Sequence, residues 1–414
     1  MEYIEQLGAA AKAAVPALSV MRAAEKNAVL SEISRRLLDS KEQLIAANRL
    51  DIDAAEKNGM TKALIDRLTL TGARIEGMAE GVRQVISLPD PVGEVIGGGE
   101  LANGLRVVKK RVSIGLIGII FESRPNVTVD AAALCFKAGN AVILRGGSDA
   151  INSNKALVNL MRAALKACGA DENCIQLVED TSREVSTAMM KLNRYIDLLI
   201  PRGSGRLIQA VINNATVPVI QTGEGNCHVY VDESADIDMA VNIVNNAKTQ
   251  RPSVCNAIEN ILVHEKAAPA FFKKLDALWQ GKVAIVGDEE TAKHISIDKP
   301  ADDTEYATEY LDYRLSSKVV SSVDEAIEHI NRFGTKHSEC IVTSDLANAE
   351  KFQKLVDAAA VYVNASTRFT DGFEFGLGAE VGISTQKLHA RGPMGLEALT
   401  TYKYLINGDG QVRA

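Results

Sequence analysis

The 414-residue chain has no excess of positive charge: 46 lysines and arginines stand against 53 aspartates and glutamates, for a formal charge of −7 and a pI near 5.6. That balance argues against a general nucleic-acid or anionic-membrane surface, because both need clustered cations. Any anionic ligand must be met by local cations. Long apolar runs are also missing. The longest, such as 114–121, cannot span a bilayer, and the opening Met1-Glu2-Tyr3-Ile4-Glu5 has neither the basic leader nor the apolar core of a secretory signal. A cytoplasmic location is expected. Cysteine is sparse: six residues without paired short spacings make neither a disulfide framework nor a zinc pattern, so reduced thiols and no metal are expected. Internal repeats and low-complexity linkers are absent. So is the usual dinucleotide fingerprint, whose nearest literal match, Gly97-Gly98-Gly99-Glu100-Leu101-Ala102, runs into the turn dipeptide Asn103-Gly104 and not into a helix.

What the chain does have is 46% hydrophobic and 24% charged residues, the composition of a globular protein too long for one ordinary core. Two or three domains are expected. Residues 1–96 read as a helical lead-in, with Val29, Ile33, Leu37 and Leu44 at helical intervals, and residues 97–112 as a β-hairpin. Across 113–225, β-rich runs at 114–121, 141–144, 175–178, 196–200 and 217–220 alternate with helical patterns at 127–137, 154–168, 183–192 and 205–214. Such alternation predicts a parallel sheet covered by helices, which gathers helix N-termini at the carboxyl edge, where phosphates are favoured. Arg145-Gly146-Gly147-Ser148 and Gly203-Ser204 each end a strand just before a helix, and together they point to a nucleotide cofactor. A second α/β pattern fills 226–392, and the alternating Tyr402, Tyr404 and Ile406 of 393–414 read as an edge strand.

Among the six cysteines, Cys255 stands apart. It lies in Lys248-Thr249-Gln250-Arg251-Pro252-Ser253-Val254-Cys255-Asn256, a loop between a helix read over 235–246 and a strand read over 258–263. Only a thiolate is a nucleophile, and nearby cations stabilise it; Lys248 and Arg251 are close enough in sequence to do so. The other five read as structural fillers or turn residues.

The loop from 246 to 265 resembles the nucleophile loop of the aldehyde dehydrogenase superfamily, and the strings 248–259, 363–372 and 386–397 extend the likeness over nearly the whole chain. The resemblance implies an aldehyde dehydrogenase-like α/β fold with two parallel-sheet domains and a small β flap, built from the hairpin and the C-terminal strand, that makes a homo-oligomer, dimer or tetramer. It implies Cys255 as nucleophile and Asn126 as side-chain donor to the oxyanion, although Asn126 also suits the cap of a helix starting at 127. Arg145, Gly146, Gly147, Ser148, Gly203, Ser204 and Glu309 are expected on the cofactor, with Arg145 favouring NADPH through its 2′-phosphate. The position of the water-activating glutamate is taken by Thr222, with Glu224 two residues later. Such a change suits a branch that reduces an acyl phosphate and must keep water from its thioester. The expected substrate is L-glutamate 5-phosphate and the product its 5-semialdehyde, on the route to proline. Lys248, Arg251, Arg368 and Arg391 are the candidate substrate cations, and a glutamate 5-kinase is a possible separate partner. The alternatives are another acylating or hydrolytic aldehyde dehydrogenase, or a cysteine acyl hydrolase.

Overall fold

In the computed structural model, which describes residues 2–413, each of the two stretches of alternating pattern forms its own parallel sheet, and each sheet belongs to its own compact unit. The first unit takes the chain up to Gln221, Gly376–Gly382 and the stretch from Met394; the second takes Thr222–Phe375 and Ile383–Pro393. The division read after residue 225 therefore falls at 221/222.

In the first unit the strands run in the order Ile175–Leu177, Ala141–Arg145, Leu116–Phe121, Leu198–Arg202, all parallel. Every residue of Leu116–Phe121 is buried, which is why that stretch is a continuous apolar run without alternation: helices cover the sheet on both faces. The strand read at 217–220 is reduced to one isolated bridge, Leu199 with Val219. Pro218 has no N–H to give a ladder, so the segment ends the sheet without extending it. The helices Pro125–Lys137, Ile151–Ala167, Arg183–Met190 and Gly205–Asn214 follow the strands in turn.

Five helices between Glu2 and Ser87 precede this sheet in sequence; the first packs against its strands, and the second, third and fifth pack against the helices Pro125–Lys137 and Ile151–Ala167 that cover it. Their apolar stripe is fully buried at Val29, Leu30, Ile33 and Leu37. Polar anchors fix their register. The Lys26 ammonium, 1% exposed, donates to the carbonyl of Lys137 at 2.9 Å and pairs with Asp90 at 2.5 Å. Buried Asp51 accepts from the backbone N–H groups of Asn152 and Ser153 at 3.1 and 2.8 Å and from the Ser153 hydroxyl at 2.6 Å. A carboxylate from one helix thus satisfies the open N–H groups at the start of another, where the helix dipole favours negative charge.

The hairpin forms from Val95–Glu100 and Arg106–Ser113, with Gly104 at φ +82° in its turn. The strand Thr400–Asn407 joins it antiparallel, Thr400 opposite Ser113 and Asn407 opposite Arg106. It forms one edge of this three-stranded sheet, with Tyr402, Tyr404, Leu405 and Ile406 exposed.

In the second unit seven parallel strands lie in the order Lys299–Pro300, Ala284–Gly287, Arg314–Val320, Ile258–His264, Cys227–Val231, Ser338–Val342, Ala360–Val363. Successive side chains go to opposite faces. Val229 and Ile261 join Phe271, Phe272 and Leu315 in one core, while Tyr230 and Leu262 join Ile341 and Phe352 in the other.

Replacing Asp51 by Ala strips the start of helix Ile151–Ala167 of its acceptor. The expected cost to the first unit is about 2–4 kcal/mol, read as a lower urea midpoint at an unchanged m-value.

Candidate functional site

Asp236 starts the helix that leads to the candidate nucleophile, its carboxylate accepting from the N–H of Met239 at 2.9 Å. The helix, Ile237–Thr249, runs past the end read at 246. The extension decides the fate of Lys248. One turn beyond Val244, it continues the buried stripe of Ala240, Val244 and Ala247, and it is 0% exposed. Its ammonium meets the carboxylate of Glu259, also 0% exposed, at 2.6 Å. Lys248 is therefore corrected from a substrate cation to a buried structural one. Burial pushes Glu259 up to about 7 and Lys248 down, and each opposes the other's shift by its charge.

Cys255 lies between this helix and the strand Ile258–His264 and is partly exposed. Its loop is held through the backbone. The Cys227 thiol donates to the Cys255 carbonyl at 3.2 Å, and the buried Asn256 amide donates to the carbonyls of Arg368 and Thr370 at 3.3 and 2.9 Å. The Thr367 hydroxyl donates back to the Asn256 carbonyl at 2.7 Å. On another side Gly225 comes so close that a Cβ there would lie 1.4 Å from the Cys255 oxygen, so only glycine fits. The Gly225 N–H donates to the Glu309 carboxylate at 2.7 Å. Burial pushes Glu309 up, and that N–H pulls it back.

Two cations remain near the thiol. Arg251 is exposed, and Arg368 is half-buried, with Nε donating to the Gln250 side chain at 2.9 Å. Burial and repulsion from Arg251 push the Arg368 guanidinium down, while the field of Cys255 opposes that. Arg391 pairs with Asp357 at 2.7 Å in a cluster with Lys336 and Lys387, where three cations share one carboxylate and positive charge is left over. Burial pushes the thiols of Cys174 and Cys340 up to about 12 and raises Cys135 and Cys227 as well, which makes them unreactive. Thr222 is buried and bridges to Ser384, and Glu224 is exposed.

The remaining candidates lie in the first unit. Asn126 is exposed in the first turn of Pro125–Lys137, whose N-cap is Arg124, so it does not cap the helix. Its amide donates one hydrogen to Asp130 at 3.0 Å, which leaves the second N–H for another acceptor. Arg145 donates to the carbonyls of Gly146 and Thr181 at 3.1 and 2.7 Å, while its buried Nε has no partner. Gly146 is buried, Gly147 half-buried and Ser148 exposed beside it. An unsatisfied guanidinium N–H next to an exposed hydroxyl suits a phosphorylated ribose. At the other strand end, the Glu122 carboxylate accepts from the Ser204 N–H at 2.8 Å and from its hydroxyl at 2.7 Å. A Cβ on Gly203 would lie 2.7 Å from the same carboxylate. The donors read as phosphate ligands already hold an anion, one supplied by the chain itself.

Sequence reasoning overlooked Gly225, Cys227 and Glu259. Glu259 carried the one available signal, a carboxylate inside the apolar run from Ile258 to Val263; Gly225 and Cys227 meet Cys255 only through the fold. Among the described residues, no group of three His, Cys, Asp or Glu side chains could hold a metal ion, and no helix is long and apolar enough to cross a membrane.

His228 and His337 are fully buried. His337 donates to or accepts from the Ser338 hydroxyl at 2.8 Å, and burial pushes it down to about 4. Burial pushes His228 down to about 3 and raises its partner Glu339, 2.9 Å away.

A model of the aldehyde dehydrogenase family matches residues 1–297. The chain is 59% identical over 394 residues to a gamma-glutamyl phosphate reductase of Caldicellulosiruptor saccharolyticus, covering 94% of each chain. It is 56% identical over 407 residues to one of Clostridium botulinum, covering 98% of each. The crystal structure of the gamma-glutamyl phosphate reductase of Thermotoga maritima superposes with a TM-score of 0.97 at 48% identity, covering 99% of both chains.

His337 sets a test of the buried histidines. Its folded pKa lies below the unfolded value of 6.5, so its contribution to stability is complete above pH 6.5 and is lost as pH falls towards 4. His337→Asn is expected to flatten the decline of unfolding free energy across that window by about 1.4 kcal/mol per pH unit, measured by urea titrations at several pH values.

Proposed function

Because the chain belongs to the aldehyde dehydrogenase family, we propose that it reduces an acyl phosphate, L-glutamate 5-phosphate, to L-glutamate 5-semialdehyde and phosphate, the reductive step from glutamate towards proline. The observation that carries this reading is the partly exposed Cys255 on a backbone-clamped loop beside Arg251 and Arg368, in a chain that matches gamma-glutamyl phosphate reductases over nearly its whole length.

The Cys255 thiolate attacks the acyl carbon, the carbon–oxygen bond to phosphate breaks, and a γ-glutamyl thioester is left on the sulfur. The backbone N–H of Cys255 and the spare amide hydrogen of Asn126 are the proposed donors to the oxyanion, each worth about 3–4 kcal/mol to such a transition state. Reduced nicotinamide, when bound, would supply a hydride to the thioester carbon, leaving its oxygen as an alkoxide held by the same donors. The thiolate then leaves, and the aldehyde is released. Thr222 has no carboxylate to activate water, so the thioester persists long enough to be reduced. Arg251 and Arg368 meet the anionic groups of the substrate, with Arg391 in its net-positive cluster as a third candidate.

For the cofactor we favour NADPH, held at its 2′-phosphate by Arg145 with Ser148 and at its nicotinamide ribose by Glu309. Binding a pyrophosphate at Gly203 and Ser204 requires Glu122 to move aside. Pairing through the exposed edge Thr400–Asn407 is the proposed route to a homo-oligomer, dimer or tetramer. We place the enzyme in the cytoplasm, where a separate glutamate 5-kinase could hand over the labile acyl phosphate.

Cys255→Ala is expected to keep the wild-type melting temperature and lose at least about 10⁴-fold in kcat. The assay runs in reverse, following reduction of NADP⁺ by the semialdehyde with and without phosphate, and turnover should depend strictly on phosphate. Arg145→Ala is expected to raise the KM for NADPH by about 10–100-fold and leave that for NADH nearly unchanged, which steady-state kinetics with both cofactors will read.

A further inference from the structure

We infer that Lys248 and Glu259 are positioning residues that set the nucleophile loop in register with the segment carrying Glu309, an inference that rests on Cys255 being the nucleophile. Lys248 sits in the last turn of the helix before the loop and Glu259 is the second residue of the strand after it. Their contact at 2.6 Å, with both side chains 0% exposed, closes the loop at its base. Stability alone does not call for charge there, because a buried ion pair can often be replaced by apolar residues of similar size without loss. A charge pair instead fixes one register, since every slipped arrangement strands a buried charge.

Glu259 also reaches further. One carboxylate oxygen takes Lys248, and the other accepts from the backbone N–H of Leu311 at 3.2 Å. Leu311 is held at φ +55°, a left-handed conformation that a leucine adopts only when its surroundings impose it. Two residues earlier, Glu309 binds the N–H of Gly225, whose backbone presses on the Cys255 carbonyl. The connections form a closed circuit, from Cys255 along the chain to Glu259, across to Leu311, back to Glu309, and through Gly225 to Cys255 again. Glu259 is therefore the joint between the two segments that hold the thiol and the carboxylate proposed for the nicotinamide ribose.

The test is the full-length double variant Lys248→Met with Glu259→Met, which removes both charges and keeps the volume. The expected result is a melting temperature within a few degrees of wild type, an unchanged pH midpoint for alkylation of Cys255 by iodoacetamide, and a KM for the acyl phosphate within about threefold. Over the same comparison kcat falls by about 10–100-fold, the scale expected when reacting groups are displaced by an ångström or less. Wild-type kcat in a folded double variant would overturn the inference. Should that variant fail to fold, Glu259→Gln decides the matter: Lys248 and the Leu311 N–H bond to different carboxylate oxygens, so the amide nitrogen of glutamine must face one of these two donors, kcat is expected to fall, and wild-type kcat there would overturn the inference equally. Activity surviving in Cys255→Ala would instead sink the reading of Cys255, whatever the pair does.

Discussion

The role proposed for Cys255 asks for a thiol that is open to a substrate and yet held still, and the structure fastens this residue through its peptide backbone. Its carbonyl receives the Cys227 thiol, the next residue is gripped by the segment from Thr367 to Thr370, and Gly225 closes against it without a side chain. These contacts fall on the backbone and on neighbouring residues, and Cys255 itself remains partly exposed. The cost falls on the neighbours. Cys227 must be fully buried and its thiol stays protonated, and position 225 can carry no Cβ.

The same economy governs charge. Arg251 is exposed and Arg368 half-buried, while Lys248, three residues before Arg251, is sealed against Glu259. A buried charge survives only beside its counter-charge, so Lys248 supports the loop without facing it. In the first unit, Asp51 and Glu122 both place a carboxylate at the start of a helix. Asp51 is buried and serves architecture, whereas Glu122 engages donors of the kind a phosphate would use, so a ligand there must compete with it.

Much of this was legible in the sequence. Continuous apolar runs such as 114–121 and helical spacing such as 127–137 mark elements that the structure forms within two residues, Leu116–Phe121 and Pro125–Lys137, because burial on both faces of a parallel sheet leaves a plain hydrophobic imprint. The misreadings have local causes. Pro218 sits in a run that looks like a strand but cannot donate to a ladder, and the end of helix Ile237–Thr249 was obscured because its last buried position is a lysine. A charged residue on an apolar stripe reads as the end of that stripe unless its partner is known, and Glu259 lies beyond the loop.

By itself, then, the sequence determined the class of fold, the sparing use of cysteine and the one thiol set apart by a polar, cationic loop, since each depends on residue type and spacing along the chain. Which cations are exposed and which are buried, why position 225 must be glycine, and that Ser204 already holds a carboxylate were decided only by the tertiary structure. These are matters of contact between residues distant in the chain, and periodicity and composition carry no record of such contacts.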